Sequence, residues 1–378
     1  MDATKSESDT RIEARSAARA GQFANVYKVL QDAVDSRAFP GCAFGVLAGG
    51  DVILADALGS FTYEPDARSV EPDTVFDIAS LTKVVSTTAL AMVLFQGGAL
   101  HLDTSVGDLL PGFVIGRASS ELARRVTLRH LLAHNSGLPG YVELFRTEPS
   151  ASALLRACLT LPVEAPPGER SEYSDPGFIL LGKALEILNR ESLSAAARKE
   201  IFGPLGMSAT SYRPARPRWG EIPPTEIDET FRHRVVQGEV QDENAWVLDG
   251  VAGHAGLFSN VSNLLRFAAG VLAGYNDSKS EGSGIFNRET VELFAERQAP
   301  AGSSRALGWD TPSADSSAGR YFSRHSIGHL GYSGCSLWID LDASIAAVLL
   351  TNRTWPDRKN QAIKLVRPAF HDAVRESL

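Results

Sequence analysis

Short apolar runs bounded by turn residues occur at both ends of the chain. Residues 42–48 and 51–58 meet across Gly49-Gly50, and residues 336–339 and 345–351 flank the polar segment 340–344. Apolar runs of this length, broken by a Gly-Gly pair or a short polar turn, predict β-hairpins. Each hairpin has an amphipathic helix beside it. Val26, Leu30 and Val34 recur at helical spacing within 11–36, up to the stop at Pro40-Gly41. Ile363, Val366, Phe370 and Val374 do the same within 359–376. The two ends therefore share one plan and are expected to share one sheet.

The middle of the chain switches to the helical period. Segments 82–96, 127–134, 151–160, 178–189, 192–201, 261–273 and 288–297 read as helices, many ending in Gly, Asn or Pro. Pro214, Pro217, Pro223 and Pro224 predict an extended connector over 212–227. Ser/Gly-rich stretches at 277–284 and 312–319 predict surface loops, and residues 1–10 are expected to be disordered. The predicted fold class is α/β: an antiparallel sheet flanked by N- and C-terminal helices, with a mostly helical inserted domain. In boundaries, 11–75 plus 300–378 form a discontinuous α/β domain and 76–299 the helical one, with the active site at their interface.

Length and charge narrow the function classes. A chain of 378 residues can bury a large core without disulfide or metal staples. Its net charge of −8, with no long basic run, excludes a nucleic-acid binder. Cys42, Cys158 and Cys335 are widely spaced and odd in number, so they read as buried small hydrophobes. The polar N-terminus has no apolar core of a secretory signal, and no 18-residue apolar run is evident. The expectation is a cytoplasmic protein with no membrane contact. Nothing in the sequence speaks to its oligomeric state.

Chemistry is expected where a helix meets the sheet. Lys83 is the sole charge between Asp77 and His101, and Ser80 lies three residues before it on the same helical face. Burial disfavours the ammonium, and a neutral amine beside a hydroxyl can accept the serine proton. Free N–H groups at the start of a helix can stabilise an oxyanion. Alone, a serine and lysine so spaced also fit a helix cap and a solvated lysine. Tyr173, in Glu172-Tyr173-Ser174-Asp175, follows a Pro/Gly-rich stretch and is placed on an exposed loop. A phenol beside a lysine can serve as base and then as acid to the leaving group. Gly328-His329-Leu330-Gly331 precedes the strand at 336–339, and its glycines allow a backbone to approach a ligand.

Taken in this order, the three elements resemble the serine β-lactamase and penicillin-binding protein superfamily, particularly its class C-like branch. Segments 131–139 (LLAHNSGLP), 250–258 (GVAGHAGLF) and 334–340 (GCSLWID) also resemble landmarks of that family, and the likeness runs over 41–353. The resemblance implies Ser80 as nucleophile, Lys83 as its activating base and Tyr173 as the second proton-transfer group. It implies an oxyanion hole from the Ser80 and Tyr332 N–H groups, substrate contacts from Asp175, His329 and Gly331, and no metal or organic cofactor. Two departures bear on substrate. Asp175 stands where an asparagine is usual, and an ionised carboxylate cannot donate. His329 replaces a lysine, and imidazole is mostly neutral at pH 7. Such a His-x-Gly triad is similar to that of family VIII esterases and D-amino-acid or muropeptide hydrolases, and QDENA at 241–245 resembles a branch tied to cell-wall peptides.

Other signals fall away. GFILLGK at 177–183 lacks the hydroxyl residue a phosphate loop needs, no GxSxG elbow exists, and His325 and His329 share no helix. His134 and His254 are expected to bond loop backbone, and Trp219, Trp246 and Tyr141 to line a pocket or pack at its rim. The expected activity is hydrolysis through an acyl-enzyme on Ser80, acting on a small ester or on an amide of the D-amino-acid or muropeptide kind. A β-lactamase or D,D-carboxypeptidase is the alternative enzyme. A non-catalytic penicillin-binding-like module is the alternative of another class.

Overall fold

In the computed structural model, which describes residues 21–117, 120–277 and 284–378, the two ends of the chain meet in one antiparallel sheet. Its five strands are β1 (Gly41–Ala48), β2 (Asp51–Gly59), β3 (Ser326–Leu330), β4 (Ser336–Asp340) and β5 (Ile345–Thr351), in the spatial order β2-β1-β5-β4-β3. The seam between the ends is β1 on β5, with Cys42 opposite Thr351 and Ala48 opposite Ile345. Gly49 and Gly50 close the first hairpin at φ 59° and 91°, a turn that L-residues resist. The helices that position or support the site are α1 (Ala24–Asp35), α2 (Ala89–Gln96), α3 (Asp175–Asn189), α4 (Val261–Asn276) and α5 (Ile363–Glu376).

Side chains alternate across the sheet as the two-residue period requires. Phe44, Val46, Trp338, Ala347 and Leu349 pack under the terminal helices α1 and α5 with Leu30 and Phe370. Ala43, Leu47, Val348 and Leu350 face the opposite way, into the larger core shared with the helical part and α4. The α/β class with terminal helices flanking an antiparallel sheet is the fold observed. All three cysteines are free and buried.

Several elements differ from their sequence expectation, each for a local reason. The expected helix over 82–96 is two pieces, a π-helical stretch at Lys83–Thr88 and α2, preceded by a 3-10 turn at Ala79–Leu81. Serine and threonine groups there are engaged across the fold. The Thr87 hydroxyl donates to Gly253 O (2.7 Å), Thr82 Oγ1 accepts from Leu257 N–H (3.0 Å), and Ser86 Oγ accepts from the Tyr212 hydroxyl (2.9 Å). Such bonds compete with the regular ladder. Ala79–Gln96 also corrects the expectation that no apolar run is long enough for a span: its 18 residues average a hydropathy of 1.3, but 78% of them are buried inside the molecule. Helix α3 starts at Asp175, three residues early, because Ser174 caps it by accepting from Gly177 N–H (3.1 Å) and Pro176 suits a first turn.

The connector at 212–227 is not extended throughout. Pro217 opens a 3-10 turn at Arg216–Glu221, and Glu226–Asp228 pairs with Arg234–Val236. The expected disorder of 1–10, the start of the first helix and most of the 277–284 loop lie outside the described residues.

Candidate active site

The turn that carries Ser80 is built around a buried carboxylate. Phe76–Asp77 pairs with Leu257–Ser259, and Asp77 accepts from Ala79 N–H (2.8 Å) and Gln241 N–H (2.7 Å). Ala79 then sits at φ 47°, a left-handed conformation that costs an alanine about 1 kcal/mol. The chain thus leaves the short strand sharply and presents Ser80 at the surface of the core. Burial pushes the Asp77 carboxyl up to about 6, although its two N–H donors favour the charged form.

Lys83 is wholly buried, with three oxygen partners for its three N–H donors. Its Nζ donates to Asp175 Oδ1 (2.7 Å), His254 O (3.0 Å) and Ser80 Oγ (3.1 Å). Burial alone would make the amine neutral, as the sequence suggested. Asp175, with Tyr173 beside it, outweighs that effect and holds the lysine above its ordinary value. Lys83 is therefore an ammonium, not the neutral base expected. Asp175 gives one oxygen, Oδ1, to Lys83, because the first turn of α3 aims it at the lysine.

Tyr173 is half-buried over this lysine, with Nζ 4.7 Å from the ring centroid. Burial raises its phenol, and the Lys83 charge opposes that. His134 stacks on the same ring at 4.5 Å and on Phe178 at 4.8 Å. As expected, His134 bonds loop backbone: its Nδ1 accepts from Ser174 N–H (2.9 Å). His254 differs, since its ring bonds the Asp242 carboxylate (2.8 Å) while its carbonyl holds Lys83.

The third wall is the end of β3 and the turn after it. His329 is buried, with Nδ1 2.8 Å from its neighbour's carbonyl, Leu330 O, which assigns the proton to Nδ1. Burial, with Lys83 and Arg305 nearby, keeps the imidazole neutral, so it offers Nε2 only as an acceptor. Gly331 has a different reason to be glycine from the one expected. A Cβ there would lie 2.5 Å from Ile78 O, so bare backbone is needed to pack the strand end on the serine turn. Ser333 ties the same turns together by donating to Asp77 O (2.8 Å). Among the described residues, neither the Ser80 nor the Tyr332 N–H donates in the turn and loop hydrogen bonds.

Sequence reasoning missed what holds these groups. Arg367 of α5, 7% exposed, donates to Gly331 O (2.5 Å), Cys335 O (2.9 Å) and Gly334 O (3.2 Å), and so fixes the backbone around Tyr332. A signal existed: Arg367 falls in line with Ile363, Phe370 and Val374 on the buried stripe of its helix. Asp77, Asp242 and Arg305 were also missed. For Asp77, the signal was the same isolation in an apolar stretch that flagged Lys83.

Comparison with known proteins agrees with this geometry. A family model described as Beta-lactamase matches residues 26–368. The chain belongs to the beta-lactamase family. Among curated proteins of this kind, it is 29% identical over 347 residues to the N-acetylmuramyl-L-alanine amidase of Bacillus subtilis (strain 168), covering 83% of this chain and 77% of the relative. It is 29% identical over 310 residues to a putative D-alanyl-D-alanine carboxypeptidase of Escherichia coli (strain K12), covering 74% and 69%. Among solved structures, the beta-lactamase-like fold is shared with EstCE1, described as a hydrolase with promiscuous acyltransferase activity. The TM-score is 0.74 at 22% identity, covering 95% of this chain and 100% of that one. A penicillin-binding protein homolog from Caulobacter crescentus gives a TM-score of 0.73 at 19% identity, covering 94% and 98%.

Proposed function

We propose that this beta-lactamase-family protein is a serine hydrolase that opens amide bonds of the muropeptide class through an acyl-enzyme on Ser80. The observation that carries the reading is Lys83 Nζ, placed 3.1 Å from Ser80 Oγ and locked as an ammonium by Asp175 at 2.7 Å. An ammonium at that position stabilises the alkoxide as it forms and cannot itself take the proton. The base is therefore Tyr173: burial holds its phenol above the ordinary value, Lys83 opposes that, and the phenolate that takes the proton becomes populated as pH rises.

The substrate carbonyl oxygen accepts from the Ser80 and Tyr332 N–H groups. Ser80 Oγ attacks the carbonyl carbon as its proton passes to the Tyr173 oxygen. Collapse breaks the C–N bond, and the Tyr173 phenol returns that proton to the leaving nitrogen. Water then attacks the ester on Ser80, losing its proton to Tyr173, which returns it to Ser80 Oγ as the acyl C–O bond breaks. Because burial raises the phenol, turnover should climb as pH rises above neutrality.

The amidase and carboxypeptidase names of the curated relatives support an amide substrate. The uncharged His329 argues against efficient β-lactam turnover, since it lacks the cation that would attract the drug's carboxylate. Ester hydrolysis is the second reading, favoured by the same uncharged strand residue. The test is a panel of N-acetylmuramyl-L-alanine, a D-Ala-D-Ala peptide, p-nitrophenyl butyrate and nitrocefin, with Ser80→Ala as control. Amide cleavage that is lost in Ser80→Ala supports the proposal. Turnover of nitrocefin above the amides, full activity in Ser80→Ala, or no labelling by a fluorophosphonate probe overturns it.

A further inference from the structure

Segment 250–258, GVAGHAGLF, passes beside the buried lysine with a single polar side chain, that of His254. Gly250 and Gly256 bracket it in left-handed conformations, φ 72° and 117°, and Gly253 has no room for a side chain, since a Cβ would lie 2.1 Å from Phe178 O. Two successive carbonyls of this segment serve the stretch that carries Lys83. Gly253 O accepts from the Thr87 hydroxyl (2.7 Å), and His254 O accepts from Lys83 Nζ (3.0 Å). A chain so poor in side chains has one polar handle by which the second carbonyl can be fixed, the imidazole of His254.

That handle is held from the QDENA segment at 241–245. Asp242 Oδ1 bonds His254 Nε2 (2.8 Å) and accepts from Ala245 N–H (2.7 Å). Burial favours the neutral acid, but the His254 ring and the Ala245 N–H hold the carboxyl below its ordinary value. An ionised carboxylate only accepts, so Nε2 carries the proton. Among the described residues Nδ1 has no partner, in a side chain 1% exposed. An unmade hydrogen bond is costly in the interior, so packing alone gives no reason for an imidazole here. The preceding residue, Gln241, gives its N–H to Asp77 Oδ2 (2.7 Å). Two consecutive residues thus grip the turn that presents Ser80 and the residue whose carbonyl receives Lys83.

We infer that Asp242 is a positioning residue for Lys83, acting through the His254 ring, and that residues 241–242 form a yoke that fixes the Ser80–Lys83 geometry from outside the stretch carrying both. The inference rests on the proposed roles of Ser80 and Lys83, and it requires neither Asp242 nor His254 to touch substrate. Without the Asp242 bond the ring is free to turn, and the His254 carbonyl drifts from Nζ. The ammonium then keeps two of its three acceptors and is less firmly aimed at Ser80 Oγ. QDENA thereby acts on the reacting groups from behind.

The test must separate this bond from the helix cap that Asp242 also provides. Asp242→Ser keeps a hydroxyl that can cap Glu243–Val247 but is too short to reach the ring, and Asp242→Asn keeps an oxygen for both. Ser80 in the full-length chain is labelled with a fluorophosphonate. The amplitude counts intact sites, and the maximal rate per site reports attack by Ser80. Loss of a hydrogen bond to a charged group predicts a maximal rate roughly tenfold to a hundredfold lower in Asp242→Ser, with the half-saturating concentration within about twofold. His254→Ala should lose the same factor, and the double variant no more than either single one. Asp242→Asn should recover to within about threefold of the wild type. If Asp242→Ser does not fold, His254→Ala against Asp242→Asn makes the same comparison. A rate loss under about threefold, losses that multiply in the double variant, or a lower amplitude at an unchanged rate overturns the inference. No labelling of the wild type overturns Ser80 as nucleophile and this inference with it. The expected pattern of rates in a protein that cleaves none of the amides rejects the proposed substrate and supports the yoke.

Discussion

Replacing Asp175 by asparagine is the most informative single change, because it removes a charge while keeping an oxygen beside Lys83. At 2.7 Å and an effective dielectric of 20, the pair attracts by about 6 kcal/mol before desolvation is counted. Removing one member of a buried pair costs about 3–5 kcal/mol. The asparagine oxygen can still accept from Nζ, so Asp175→Asn should fall at the lower end, about 3 kcal/mol. Lys83 is 0% exposed, and the same energy appears as a fall of about two units in its pKa.

The pH dependence has a definite sign. In the wild type the folded lysine lies above its unfolded value, so its contribution is present at neutral pH and is lost only as pH rises through the folded pKa. In Asp175→Asn the folded value lies below the unfolded one. The deficit is then largest at pH 7 and shrinks as pH rises through the variant's lysine pKa toward 10. Urea unfolding of both proteins at pH 7 and pH 9.5 measures this, with p-nitrophenyl butyrate profiles alongside. A deficit equal at both pH values, or an unchanged alkaline limb of kcat/KM, would refute the claim that Asp175 holds Lys83 charged.

Three further outcomes are expected. Arg367→Ala strands three carbonyls around the Tyr332 turn, and each buried unsatisfied group costs about 1–3 kcal/mol, so the melting temperature should drop by several degrees. Its kcat should fall roughly 100-fold as the oxyanion donor loosens, and a loss under threefold would reject that role. Gly331→Ala drives a Cβ to 2.5 Å from Ile78 O, and urea titration should show a loss of about 1–3 kcal/mol. An unchanged midpoint would mean the strand end does not bear on the serine turn. Asp77 should appear in carbon-13 carboxyl spectra as a resonance titrating near 6, absent from Asp77→Asn. Since the folded state keeps this proton after the unfolded chain has released it, stability should fall between about pH 4 and 6 on this account. A resonance titrating below 4 would contradict it.

What the sequence made legible is what local pattern encodes. Gly49-Gly50 announces its hairpin because φ values of 59° and 91° are a backbone property of glycine itself. Ser80 and Lys83 stand out through three-residue spacing and isolation from other charge. The structure does bring Ser80, Lys83, Tyr173 and His329 together, with the turn that carries Tyr332 packed against the serine turn. Pairings between distant positions were not legible. Asp175 and Lys83 are 92 residues apart, and only the early start of α3, set by the Ser174 cap, turns the carboxylate inward. The same ignorance of pairing misjudged the charge of Lys83, since burial was read without its counterion. Nor could local pattern show that Gly331 packs against Ile78 O. Arg305 carries no local signal, because its place over the Tyr173 ring comes from a distant loop.

The seam between β1 and β5 sets a clock on the catalytic centre. The bond from Ser333 to Asp77 O joins positions 256 residues apart, and the arginine that fixes the oxyanion turn comes later still. At synthesis rates of about 5–20 residues per second, roughly 10–50 s separate the appearance of the nucleophile from that of its oxyanion turn. During that interval Ser80 and Lys83 exist on a nascent chain without the backbone donors needed to acylate anything. On the proposed mechanism, hydrolytic competence arrives in one late step, when the C-terminal strands close the sheet against the first hairpin.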